Sequence, residues 1–183
     1  MISKKDILTI PNLLSYLRLI LIPVYTSLYL QEKIGTAFVI FAFSCLTDLL
    51  DGFIARRFHM VSDLGKFLDP LADKLTQLAL LLILPFRYPL VKSLIPLFLA
   101  KEFTQSSLAF FHFRQGKVLS GALWTGKIST AILFLSFLIL MVFQNLSFGT
   151  VKSFVLVDSI VMIISLASYM AVYYGNSEKL CDT

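Results

Sequence analysis

The sequence predicts an all-α integral membrane protein, a six-transmembrane-helix bundle with a short N-terminal interfacial segment. Three observations carry that expectation. Of 183 residues, 57% are hydrophobic, with a mean hydropathy of +0.83, whereas soluble domains are about 45–50% apolar. Six apolar stretches approach the ~20 residues that a bilayer crossing demands. The basic residues gather on one side of those stretches, as cytoplasmic loops do.

In chain order, Met1–Ile10 combines Lys4, Lys5 and Asp6 with Ile2, Ile7 and Leu8, the mixture of an interfacial amphipathic segment. Pro11 then suits the first turn of a helix, where its missing N–H costs nothing. The expected spans are Leu13–Leu30, Ile34–Ile54, Phe67–Pro85, Leu94–Phe113, Leu123–Phe143 and Phe154–Tyr174. They are too many for a signal peptide, and the N-terminus lacks a small-residue cleavage site. The gaps are short and show no repeat or linker, so residues 1–183 read as a single membrane domain.

An even number of spans places both termini on one side. That side collects Lys4, Lys5, Arg18, Arg56, Arg57, Lys66, Lys74, Arg114, Lys117, Lys127 and Lys179. The other holds Lys33, Arg87, Lys92 and Lys152, and Lys101 falls inside the fourth span. The bias puts the termini in the cytoplasm. It also accounts for the net charge of +5 as topology and contact with anionic lipid, not nucleic-acid binding. Cys45 and Cys181 offer no metal or disulfide spacing, and Cys45 reads as a small buried hydrophobe. Asp158 reads as a lone solvated carboxylate near the far side. His59 and His112 read as surface or interface residues.

Against this apolar background stand Asp48, Asp51, Asp69 and Asp73, spaced three, eighteen and four apart. Carboxylates near a bilayer are costly unless a cation, a partner or water compensates them. Asp48 and Asp51 share one face of the second helix, and Asp69 and Asp73 one face of the third. The short connection predicts antiparallel neighbours whose acidic faces meet at the cytoplasmic boundary. Carboxylate oxygens suit hard ions such as Mg2+, Mn2+ or Ca2+. Four of them can hold two ions about 3.5–4 Å apart, the arrangement that clamps a phosphoryl group. Gly52, Ala55 and Gly65 permit close approach to the backbone. Arg56, with Arg57 and Lys66 nearby, offers cationic contact with phosphate.

The full pattern D-x2-D-G-x2-A-R-x8-G-x3-D-x3-D, from Asp48 to Asp73, resembles that of the CDP-alcohol phosphatidyltransferase family at every fixed position. The resemblance implies an enzyme that moves a phosphatidyl group from CDP-diacylglycerol to an alcohol and releases CMP. It implies Asp48, Asp51 and Asp69 as ligands of two Mg2+ or Mn2+ ions, with Asp73 a ligand or the general base. Gly52, Ala55, Arg56 and Gly65 would line the CDP pocket. It further implies a homodimer in a bacterial cytoplasmic membrane.

Within that family, Ile10-Pro-Asn12-Leu-Leu-Ser15-Tyr-Leu-Arg18 resembles the phosphatidylglycerophosphate and cardiolipin synthases. Asn12, Ser15 and Arg18 form a polar helix face able to meet cytidine and phosphate; ordinary capping and an interfacial arginine are the alternative. Gly126-Lys127-x-x-Thr130 resembles an element of glycerophosphate-using members, with Lys127 a phosphate contact or a snorkelling lysine. The fourth span carries Lys101-Glu102 where an Arg-Glu pair is usual, and apolar Ala109 where a second arginine is usual. Arg114 and Lys117 stand near enough in sequence to compensate. The expected acceptor is glycerol-3-phosphate, with phosphatidylglycerol as the alternative.

Two other classes compete. An ion-coupled transporter would bind its cation through such aspartates, but transporters of that kind often show repeats and midplane sites. An intramembrane aspartyl hydrolase needs only two carboxylates.

Overall fold

A computed structural model describes residues 9–57, 64–114, 124–143 and 145–181, which form helices and turns without a strand. The helices are α1 (Ile10–Leu30), α2 (Ile34–Arg57), α3 (Gly65–Ile83), α4 (Leu94–Arg114), α5 (Trp124–Val142) and α6 (Phe148–Cys181). Two 3-10 turns, Leu84–Phe86 and Pro89–Ser93, link α3 to α4. Three stretches are long and apolar enough to cross a membrane: Pro11–Leu30, Trp124–Val142 and Phe148–Ala171. Most of the expected interfacial segment lies outside the described residues.

Helix limits follow local chemistry. Pro11 occupies the first turn of α1, as its missing N–H allows. The helix ends in a Schellman motif: Lys33 N–H donates to the Leu28 carbonyl and Glu32 N–H to Tyr29, each at 3.0 Å. Glu32 takes the left-handed conformation there, with φ 61°. α6 begins at Phe148, six residues before the apolar run marks it, because Ser147 Oγ accepts the Thr150 N–H at 3.2 Å. Lys152 and Ser153 hide that start from hydropathy.

Contacts divide the chain into two units, Met1–Arg87 and Tyr88–Thr183. In the first, α1 packs along both α2 and α3. The expectation of α2 and α3 as direct partners is therefore corrected: among the described residues they approach each other far less than either approaches α1. The cause is the polar and aromatic face of α1, which complements both. Tyr25 and Phe41 meet edge to face with centroids 5.4 Å apart, and Ala37, Ala72, Leu80 and Leu81 fill the core.

In the second unit α6 packs along α4 and α5. Tyr88 Oη donates to the Phe143 carbonyl at 2.5 Å, and Phe98, Leu133, Phe137 and Met162 are buried. Asp158 is not solvated. It lies on the α6 face that also buries Met162, Ser165 and Tyr169, is 1% exposed, and accepts a 3.0 Å hydrogen bond from Ser136 Oγ. Helical phase aims it at α5, which is why solvent does not reach it. Cys45 is free and only half-buried.

The surface pattern inverts that of a soluble protein. Ile20, Val39, Phe103 and Ile160 are more than half exposed, while Asn12, Arg18, Asp51, Gln77 and Lys101 are buried. Lipid makes such an exterior favourable, and interior polar groups then need partners within the protein.

Candidate active site

The polar face of α1 positions the site. Asn12, Ser15 and Arg18 recur every three residues and are each at most 2% exposed. Ser15 Oγ donates to Asp69 Oδ1 at 2.6 Å and lies 3.1 Å from the Pro11 carbonyl. One turn further, Arg18 spreads its planar fork across three carboxylates. Nη1 donates to Asp73 Oδ1 at 2.6 Å and Nη2 to Asp51 Oδ2 at 2.6 Å, and Nη2 also pairs with Asp48 Oδ1. All four aspartates of the pattern thus gather on two side chains of one helix face.

The expected helical phase holds in detail. Asp48 and Asp51 of α2 reach the same nitrogen. Asp69 and Asp73 of α3 bind Ser15 and Arg18, themselves three residues apart. Pro70, between them, lacks an N–H but stays within the helix near its start. Burial is graded across the cluster. The Arg18 and Asp51 side chains are 3% and 4% exposed, whereas Asp48 and Asp73 are 42% and 52% exposed. Asp51 and Arg18 form the floor, and Asp48 and Asp73 form an accessible rim.

Hard oxygen donors in this number suit a divalent metal in kind. Among the described residues, however, no three acidic side chains stand so placed that they could hold an ion. A guanidinium occupies the space between Asp48, Asp51 and Asp73. The donor chemistry fits; the spacing, as Arg18 sets it, does not.

Gly65 is buried at the start of α3, directly before the Asp69 turn. Gly52, Ala55 and Arg56 lie on α2 within the two turns after Asp51. The side chains of Ala55, Arg56 and Arg114 fall outside the described residues, as does Lys117 altogether.

The other expected contacts belong to the second unit. Lys101 is fully buried, its Nζ donating to Glu102 Oε1 at 3.2 Å and to Thr130 Oγ1 at 3.3 Å. The fourth-span pair and the G-K-x-x-T element therefore meet through Lys101 and Thr130. Lys127 is exposed, with Nζ 5.6 Å from the Trp124 ring centroid, a cation–π placement. Gly126 is required by packing: a Cβ there would lie 2.7 Å from Tyr169 Oη and 3.3 Å from Gln105 Nε2. Gln105 also donates weakly to Ser165 Oγ at 3.4 Å.

Sequence reasoning placed Ser15 and Arg18 at the site but missed that they bind the aspartates. The available signal was an arginine one turn from a serine within a stretch of span length and hydropathy.

Residues 8–171 match the family described as CDP-alcohol phosphatidyltransferase. The cardiolipin synthase (CMP-forming) of Rattus norvegicus is 57% identical over 67 residues, covering 36% of this chain and 22% of that protein. The cardiolipin synthase (CMP-forming) of Streptomyces coelicolor is 40% identical over 102 residues, 52% of this chain and 47% of its own length. The CDP-diacylglycerol–glycerol-3-phosphate 3-phosphatidyltransferase of Yersinia enterocolitica is 34% identical over 129 residues, 67% of this chain and 71% of that protein. The chain spans less than half the length of the rat and Streptomyces relatives. With the motif carboxylates gathered on α1 and the match running over nearly the whole sequence, the chain belongs to the CDP-alcohol phosphatidyltransferase family.

Proposed function

We propose that this protein transfers a phosphatidyl group from CDP-diacylglycerol to glycerol-3-phosphate and releases CMP, a step of phospholipid biosynthesis. The observation that carries the reading is the convergence of Asp48, Asp51, Asp69 and Asp73 on Ser15 and Arg18. The acceptor hydroxyl attacks the phosphorus that bears diacylglycerol, and the bond from that phosphorus to the CMP oxygen breaks. Asp73, half exposed at the rim, accepts the hydroxyl proton. Before ions bind, Arg18 and Ser15 fix the carboxylates, and Arg56 contacts the pyrophosphate.

Two Mg2+ or Mn2+ ions, held by Asp48, Asp51, Asp69 and Asp73, would supply charge neutralisation at the pyrophosphate. We further propose six spans, one membrane domain, cytoplasmic termini and site, and a homodimer. The lysine and arginine distribution supports the orientation.

Glycerol-3-phosphate is preferred because the Yersinia relative, matched over most of both chains, carries that acceptor in its name. Lys101, Arg114, Lys117 and Lys127 are the proposed acceptor contacts. Phosphatidylglycerol is the second reading, favoured by the cardiolipin synthase names of the rat and Streptomyces relatives and by the burial of Lys101 against Glu102. The test is an acceptor panel with CDP-diacylglycerol and Mg2+ or Mn2+ in detergent, with mass spectrometry of the lipid product. Phosphatidylglycerophosphate is expected. Cardiolipin would establish the second reading, and no new phospholipid with any acceptor would overturn both.

A further inference from the structure

Arg18 stands where the proposed chemistry needs a different cation. Its two terminal nitrogens engage one oxygen each of Asp48, Asp51 and Asp73, and the side chain is buried beneath them. A divalent ion takes the same lone pairs, in a shell of about 2.0–2.6 Å that no guanidinium can share. Among the described residues no three acidic groups are arranged for an ion, so ion binding requires these carboxylates to leave the Arg18 fork. Charge favours the exchange, since one guanidinium faces three carboxylates, whereas two divalent ions match the charge of all four aspartates. The Arg18 Nε is buried and has no hydrogen-bond partner among the described residues. The guanidinium is thus incompletely satisfied where it lies and suited to a second anionic partner.

We infer that Arg18 and the divalent ions compete for the oxygens of Asp48, Asp51 and Asp73, so that ion binding releases Arg18 to a phosphate of the bound nucleotide-lipid. The inference rests on the metal-dependent reading above. It makes Arg18 a positioning residue that couples two binding events. Without ions the fork holds Asp48, Asp51 and Asp73 together and offsets the repulsion among their three negative charges. Once ions replace it, the same planar donor can bind phosphate in a bidentate manner.

The test is direct Mn2+ binding to the detergent-solubilised full chain without nucleotide, followed by the loss of the free-Mn2+ electron paramagnetic resonance signal. Three proteins are compared: wild type, Arg18→Gln and Arg18→Lys. Competition predicts at least tenfold tighter Mn2+ binding by R18Q. It also predicts tighter binding by R18K, which keeps the charge but cannot bridge three carboxylates. Thermal unfolding supplies a second readout: R18Q should melt lower than wild type in EDTA and gain more from Mn2+. Equal Mn2+ affinity in all three proteins would overturn the competition while leaving the metal site intact. Tighter binding by R18Q alone would reduce the effect to net charge and likewise overturn it. No Mn2+ binding by any of the three would overturn the metal reading itself.

Discussion

Arg18 and Asp51 form a buried charge pair across α1 and α2, with Nη2 2.6 Å from Oδ2 and both side chains at most 4% exposed. Such a pair contributes little net stability against an apolar replacement, but removing one partner strands the other, at about 3–5 kcal/mol. Asp48 and Asp73 also contact Arg18, so Asp51→Leu is expected to cost less, about 2–3 kcal/mol. Unfolding in detergent with EDTA measures it. R18M/D51L should recover at least half of that loss. A double variant less stable than either single one would show that the network has a role beyond local pairing.

Gly126 and Tyr169 give a packing test inside the second unit. A methyl at residue 126 meets Tyr169 Oη at 2.7 Å and Cε2 at 3.0 Å. Gly126→Ala should therefore destabilise by about 1–3 kcal/mol, as overpacking does. Adding Tyr169→Phe removes the closest atom and should return part of that loss. Strict additivity of the two changes, measured as a double-mutant cycle, would contradict the contact.

Replacing Lys101 tests the proposed acceptor contact. Lys101→Met keeps the apolar volume but removes the charge and the bonds to Glu102 and Thr130. The expected outcome is a KM for glycerol-3-phosphate raised about tenfold or more, in line with the loss of about 1.4 kcal/mol or more of binding. The apparent KM for CDP-diacylglycerol should change little. An unaltered glycerol-3-phosphate KM would assign Lys101 to packing alone.

Glu32 holds a backbone conformation that side chains disfavour, at φ 61° in the turn after α1. Left-handed residues with a Cβ lose roughly 1–2 kcal/mol relative to the right-handed form. Glu32→Gly is thus expected to raise stability by about 0.5–1 kcal/mol without affecting activity. A fall in melting temperature would contradict the Schellman geometry.

The legible parts were those fixed by period and motif. Apolar stretches of span length located the helices, and the i, i+3 and i+4 spacings placed the aspartates on shared faces. What escaped was set by tertiary pairing. The placement of α1 between its two neighbours depends on Arg18 and Ser15 matching acidic groups more than thirty residues away. Asp158 looked solvated because its partner Ser136 sits twenty-two residues off, on α5. The early start of α6 was hidden because a serine cap carries no hydropathy signal.

The central claim is that the Asp48–Asp73 cluster performs phosphatidyl transfer. The most direct measurement is CMP release from CDP-diacylglycerol, with glycerol-3-phosphate and Mg2+ or Mn2+, by wild type, Asp69→Asn and Asp73→Asn in one detergent. General-base catalysis alone contributes about 10²–10⁴-fold, so both variants should lose at least about a hundredfold in rate while remaining folded. CMP release by the folded variants at the wild-type rate would contradict the account.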